Sequence, residues 1–138
     1  LIVVDFGTGT NFDVVDRSGS YIGGAIMPGV LVGSEALFKR AAKLPHVQGL
    51  ALAAPTRAVG RNTVESLQSG IVLGYAEAID GLVKRMKLEV GEDCSVISTG
   101  GLGSMFTGVC SSIDRFEPNL TLDGLAVAAE RMAGHQQF

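Results

Sequence analysis

At 138 residues, with 46% hydrophobic and 18% charged residues, the chain has apolar material for one packed domain and is not a disordered segment. Its net charge of −3, with Arg17, Lys39, Arg40, Lys43, Arg57, Arg61, Lys84, Arg85 and Lys87 scattered among acids, argues against a nucleic-acid surface, which needs clustered positive charge. No apolar run approaches the ~20 residues that cross a bilayer, no secretory pattern is visible, and Cys94 and Cys110 are too few for a disulfide framework, so a reducing, cytoplasmic setting is expected.

Leu1 to Val4 is a short β-branched run of the kind buried on both faces of a sheet. It opens mid-strand and without Met, so a fragment or one chain of a split protein is expected. Asp5-Phe6-Gly7-Thr8-Gly9-Thr10 reads as a turn, Asn11 to Asp16 as a second strand, and Arg17-Ser18-Gly19-Ser20 as a hairpin turn. Tyr21 to Ile26 follows as a third strand, which predicts an antiparallel meander. Val30 to Lys43 is helical by pattern, with Leu31, Ala36, Leu37, Ala41 and Leu44 near one face and Pro45 as its stop. Val47 to Val59 is ambiguous between strand and loop. Asn62 with Glu65 fits a capping box that opens a long helix to about Glu89. Its apolar period runs through Leu67, Ile71, Tyr75, Ala78, Ile79, Leu82, Val83 and Met86. Gly70, Gly74 and Gly81 inside it cost helix propensity, so close packing against another element is expected there. Cys94 to Thr99 reads as a returning strand, Leu102 to Val109 as a short helix and Ile113 to Pro118 as irregular. Leu122 to Ala133 is a final helix capped by Thr121, and 135–138 a frayed tail.

Three segments carry chemistry. In Asp5-Phe6-Gly7-Thr8-Gly9-Thr10 the glycines permit close backbone approach, and N–H groups with the Thr8 and Thr10 hydroxyls could wrap a phosphate. Asp5 could hold a cation. The same residues also suit a plain hairpin that satisfies its own backbone. Thr99-Gly100-Gly101-Leu102-Gly103 places bare backbone between a strand and a helix, open to a flat ligand such as an adenine ring, or serving only as a turn. Gly60-Arg61-Asn62-Thr63 offers free N–H groups to a carboxylate or phosphate, or simply caps its helix.

Taken in order, a DxGT hairpin, a GxNT-opened helix and a strand–TGG turn resemble the second half of the actin-like ATPase superfold. Within it, Tyr21-Ile22-Gly23-Gly24-Ala25-Ile26-Met27-Pro28-Gly29, Leu44-Pro45, Gly60-Arg61-Asn62-Thr63-Val64-Glu65-Ser66-Leu67-Gln68-Ser69-Gly70, Ser98-Thr99-Gly100-Gly101 and Leu120-Thr121-Leu122-Asp123-Gly124-Leu125 resemble type III pantothenate kinases over essentially the whole chain. The resemblance implies an α/β, ribonuclease-H-like domain, an antiparallel meander plus helices, forming the C-terminal half of a duplicated kinase fold. It implies ATP-dependent phosphorylation of pantothenate to 4′-phosphopantothenate, with Mg²⁺ and a monovalent cation, K⁺ or NH₄⁺. By the same likeness Asp5 binds the monovalent cation, Gly7 and Thr8 the ATP phosphates, Gly100 and Gly101 the nucleotide, and Thr63 pantothenate. The helix over 63–89 resembles the family's homodimer interface.

Two family features are missing from these residues. The DxGNT-type phosphate loop of the first half has no counterpart, and the catalytic base, the Asp of a Gly-Ala-Asp-Arg segment, would precede Leu1. A second chain carrying that half is therefore a possible partner. A non-catalytic binding or regulatory remnant and an actin-like kinase with another acceptor are the rival outcomes. Cys94 and Cys110 are expected in the core and Asp16 in a turn. Asp13 and Asp114 fit structural roles better than functional ones, and Arg57 and Arg61 fit solvated surface positions. His46 and His135 are expected in a loop and in the tail.

Overall fold

Strand β1 (Ile2–Phe6) alternates buried and half-buried residues, so Ile2, Val4 and Phe6 face one side of the sheet and Val3 and Asp5 the other. β2 (Gly9–Val15) continues the alternation, with Thr10, Phe12 and Val14 on the buried side. β3 (Tyr21–Pro28) completes the expected meander. The computed structural model describes residues 1–41 and 52–134, so Leu44, Pro45, His46 and the tail with His135 lie outside the described residues.

β4 (Val96–Gly100) does not extend the meander. It pairs with β1 in parallel, and a two-residue edge strand β5 (Arg115–Phe116) pairs in parallel with β4. The sheet order is β3-β2-β1-β4-β5. The segment from Ile113 to Pro118, expected to be irregular, supplies that edge. Asp114 accepts a hydrogen bond from the Val96 amide at 2.7 Å, which accounts for its carboxylate structurally.

Helix α1 (Val30–Arg40) turns a different face inward from the one its leucines predict. Val30 and Ser34 are buried and Phe38 packs on the core, while Leu31 and Leu37 are exposed. The long helix is interrupted: α2 (Thr63–Gln68), a π-helical turn at Ser69–Leu73, then α3 (Gly74–Val90). The wider turn places Ile71 and Val72 side by side among the buried residues, after which Ala76, Ile79 and Val83 carry the inward face; Ala78, expected there, is exposed. The capping box is present. The Glu65 amide donates to the Asn62 side-chain oxygen at 2.9 Å, and the Glu65 carboxylate accepts from the Arg61 amide at 2.8 Å. Gly70, Gly74 and Gly81 have open space where a Cβ would stand, so the packing expected against them is not made by the described residues.

α4 (Gly103–Thr107) lies beside the sheet through Phe106, which stacks on Phe6 with centroids 4.9 Å apart. α5 (Leu120–Gly134) begins two residues earlier than expected, so Thr121 sits within its first turn and not at its cap. Ile2, Val4, Phe6, Phe12, Val14, Val30, Ile71, Ile79, Val83, Val96 and Phe106 form one core between the sheet and the helices. Cys110 is buried within it and Cys94 packs at its margin, as expected. Burial, with the Asp80 and Glu77 charges, pushes the Cys110 thiol up to about 12, so it stays protonated and unreactive at neutral pH. Asp80 ties α3 to the segment before β5, accepting from the amide and hydroxyl of both Ser111 and Ser112 at 2.6–3.0 Å. Burial alone would raise its pKa, but these four bonds outweigh that and hold it below the ordinary value of 3.8.

Candidate functional site

The carboxyl ends of two adjacent parallel strands, β1 and β4, bring the two glycine-bearing turns together. Asp5 pairs with Thr99 and Phe6 with Gly100 across that junction. In open α/β sheets ligands bind outside such strand ends. Only Gly7 and Thr8 form the first turn, because Asp5 and Phe6 belong to β1 and Gly9 and Thr10 to β2. The Gly7 amide donates to the Gly9 carbonyl at 3.0 Å and closes the turn. Both Gly7 and Thr8 are exposed.

Gly100 must be glycine here. Its φ is +86°, and a Cβ would stand 2.5 Å from the Asp5 carboxylate and 2.7 Å from the Phe6 carbonyl oxygen. The Gly101 amide then donates to the Phe6 carbonyl at 3.1 Å. Gly101 itself is exposed, with nothing within 4 Å of where a Cβ would be. The turn therefore presses one glycine onto β1 and leaves the next as bare backbone facing outward.

Asp5 is half-buried, and among the described residues its carboxylate takes no hydrogen bond and no ion pair. A lone oxygen donor in that position fits a cation whose shell is completed by water, backbone carbonyl or phosphate oxygens. The described residues contain no group of three or more His, Cys, Asp or Glu able to enclose a metal. Thr10, expected to share a phosphate with Thr8, is fully buried. The strand alternation turns its side chain to the core side with Phe6 and Phe12, where its hydroxyl has no hydrogen-bond partner among the described residues. Thr8 alone of the two remains available.

The Gly7–Thr8 turn is held by Gly29, the residue before α1. The Gly29 amide donates to the Thr8 carbonyl at 3.0 Å, and a Cβ at Gly29 would lie 2.1 Å from that same oxygen. On its other side the Gly29 carbonyl accepts from the Tyr75 hydroxyl at 3.3 Å. Sequence reasoning gave neither residue a role at the site. The signal for Gly29 was its glycine after Met27-Pro28; Tyr75 passed as one apolar position among eight.

Thr63 stands exposed as the first residue of α2, and among the described residues no hydrogen bond joins it to Asp5, Thr8 or the Gly100 turn. Arg57 and Arg61 are exposed and share a cavity of about 360 Å³ with Pro55, Thr56, Glu65 and Gln68. Asp13 is half-buried on β2, opposite Val3 and Gly24. Asp16 is a turn residue as expected: its carboxylate accepts from the Ser18 hydroxyl and from the Ser18 and Ser20 amides, bonds that hold its pKa below the ordinary value.

The sequence profile of type III pantothenate kinases matches residues 1–85. The chain belongs to the type III pantothenate kinase family. It is 54% identical over 132 residues to the type III pantothenate kinase of Thermomicrobium roseum, covering 96% of this chain and 50% of that protein. The type III pantothenate kinases of Desulfatibacillum aliphaticivorans and Roseiflexus castenholzii are 48% and 47% identical, with 51% and 50% of their lengths covered. The chain thus spans about half the length of the curated pantothenate kinases it matches. In three dimensions it superposes on a crystal structure from Campylobacter jejuni, put forward as a conserved Baf family transcriptional activator, with a TM-score of 0.67. That likeness covers 96% of this chain and 58% of the other at 17% identity, and concerns the fold alone.

Proposed function

We propose that the chain is the C-terminal half of a type III pantothenate kinase with the actin-like ATPase fold, and supplies one wall of its nucleotide cleft. The observation that carries this is the joining of two glycine turns at the ends of β1 and β4, with Gly100 seated against an unpartnered Asp5. Asp5 holds the monovalent cation, K⁺ or NH₄⁺. The exposed Gly7–Thr8 turn meets the phosphates of Mg-ATP, and bare backbone at Gly100 and Gly101 receives the nucleotide. Thr63, at the start of α2, contacts pantothenate.

Phosphoryl transfer depends on placement and charge stabilisation more than on covalent help. The cation adds positive charge beside the phosphates. This chain's share is to fix the phosphate turn against Gly29 and to hold the α2–α3 unit to it through Tyr75. The N-terminal half, on the same polypeptide or on a second chain, brings the aspartate that takes the proton from the pantothenate hydroxyl as it attacks the γ-phosphate. The product is 4′-phosphopantothenate, at the first committed step toward coenzyme A, in the cytoplasm.

The homodimer belongs to the same proposal. Gly70, Gly74 and Gly81 are exposed along the π turn and α3, with open space above each, where a second copy could approach closely.

The test is mass-spectrometric detection of phosphopantothenate after incubation with ATP, Mg²⁺, K⁺ and pantothenate, using the chain alone and the chain with its N-terminal half. Product only when both halves are present supports the proposal. No product from the complete assembly, while the protein remains folded, sinks it in favour of a non-catalytic protein or another acceptor.

A further inference from the structure

We infer that Ser69 is a positioning residue for the acceptor: its hydroxyl ties down the segment that leads into Thr63, and that tie sets how tightly the acceptor is held. The inference rests on the assignment of Thr63 to pantothenate. Residues 52–62 carry no helix or strand and run directly into the first turn of α2. The Ser69 hydroxyl donates to the Ala58 carbonyl of this segment at 2.6 Å, eleven residues back along the chain.

Three observations set this bond apart from ordinary helix chemistry. First, a serine inside a helix commonly bonds the carbonyl four residues back, as Ser34 does with Val30 at 2.6 Å in α1. Ser69 reaches out of its helix instead, while its backbone amide serves the Glu65 and Ser66 carbonyls. Second, Ser69 is buried and opens the π-helical turn, a local widening that recurs at functional sites. Third, Gly60 lies flat on the same helix. A Cβ there would stand 2.4 Å from the Ser66 amide nitrogen and 2.7 Å from the Glu65 carbonyl carbon. Ser69 and Gly60 thus hold the segment at two points, and the Asn62–Glu65 cap holds it at a third. Thr63 is the next residue, so these three points fix the direction from which the chain delivers it.

The segment has room to move once released. Pro55, Thr56 and Arg57 share a cavity of about 360 Å³ with Arg61, Glu65 and Gln68. Ala58 is exposed, so water can take over its carbonyl. Loss of the tie should therefore loosen the segment locally and leave the domain folded.

The test compares the parent, Ser69→Ala and Ser69→Thr in the assembly of the chain with its N-terminal half. Ser69→Ala should raise the KM for pantothenate about tenfold, with kcat and the KM for ATP held within about twofold, the pattern of lost acceptor binding. Tryptic cleavage after Arg57 and Arg61 should quicken about tenfold relative to cleavage after Arg85 within α3, since proteolysis follows the open population. Ser69→Thr keeps the hydroxyl and should bring both readouts back toward the parent. Gly60→Ala leaves Ser69 intact, lifts the segment from its other anchor, and should give the same split between the two KM values. Unchanged cleavage in Ser69→Ala overturns the inference. So does faster cleavage with an unchanged pantothenate KM, or a rise in both KM values together with a lower melting temperature, which would make the bond structural only. A parent assembly that makes no phosphopantothenate removes the kinase reading and the acceptor role with it, whereas an active parent with an unmoved pantothenate KM in Ser69→Ala removes this inference alone.

Discussion

Gly100→Ala and Gly101→Ala differ by one position and are expected to separate the structural from the ligand-binding part of the second turn. At Gly100 the backbone sits at φ +86°, where a Cβ would press on the Asp5 carboxylate and the Phe6 backbone at 2.5–2.8 Å. Left-handed backbone costs an L-residue roughly 1–2 kcal/mol, and overpacking of this kind typically adds ~1–3 kcal/mol. Two of the three contacts are with backbone, so little of this relaxes by side-chain motion. Taking ~3 kcal/mol in total, the melting temperature of a domain this size should fall by about 10 °C. At Gly101 the space is open and φ is ordinary, so stability should change by less than about 0.5 kcal/mol.

Nucleotide binding should show a different ordering. If the adenosine lies on bare backbone, a methyl group at Gly101 raises the KM for ATP in the two-half assembly by about tenfold, or ~1.4 kcal/mol of binding. Circular-dichroism melts of this chain and ATP titrations of the assembled kinase measure the two effects. A Gly100→Ala variant that melts within a degree or two of the parent would refute the claim that the turn is pressed onto β1. An unchanged KM in a well-folded Gly101→Ala variant would refute the nucleotide assignment.

Asp5→Asn keeps the shape beside Gly100 and removes the charge. Activation by K⁺ or NH₄⁺ should disappear with little change in melting temperature, and a variant still activated by the cation would move its site elsewhere. Asp80→Asn leaves the four donors of Ser111 and Ser112 without an anion, at a cost of about 1 kcal/mol given partial exposure. Because the folded pKa lies below the ordinary 3.8, that stabilisation is complete above this value and is lost as pH falls through the lower folded value. Urea titrations should therefore give a parent-minus-variant difference that is constant from about pH 5 to 7 and shrinks below about pH 4. Asn62→Ala should cost ~1 kcal/mol in the same titrations and Asn62→Ser much less, since serine restores the cap to the Glu65 amide.

What the sequence made legible was whatever is local. The meander followed from short apolar, β-branched runs and a hairpin turn at Arg17–Ser20, and the α2 cap from Asn62 and Glu65. The parallel placement of β4 beside β1 was not legible, because pairing across some ninety residues leaves no local trace; only the later glycine turn hinted that its strand ends at the site. Apolar content misled in α1, where Leu31 and Leu37 look like core yet Val30, Ser34 and Phe38 turn inward. Thr10 was misassigned because motif reading treats a six-residue stretch as a loop. Once Gly9 and Thr10 are strand, period-two alternation sends Thr10 to the core side. The glycines of the long helix were read as packing signals, and their partner surface is not within the described chain.

Two absent side chains let the Gly7–Thr8 turn and the Tyr75 hydroxyl come close to the start of α1. At Gly29 the Thr8 carbonyl passes 2.1 Å from the position of a Cβ, and at Gly33, one turn along α1, the Tyr75 hydroxyl passes 2.2 Å from another. A methyl group at the first would push the Gly7–Thr8 turn away, and at the second would swing the Tyr75 hydroxyl aside and break its bond to Gly29. In the proposed kinase the first change moves the turn assigned to the ATP phosphates, and the second removes a tie between that turn and the helix unit that begins at Thr63. Misplacement of reacting groups by about 1 Å can cost on the order of a hundredfold in rate. The start of α1, which touches neither ligand in the proposal, is therefore where small changes in packing should be felt most strongly by the chemistry.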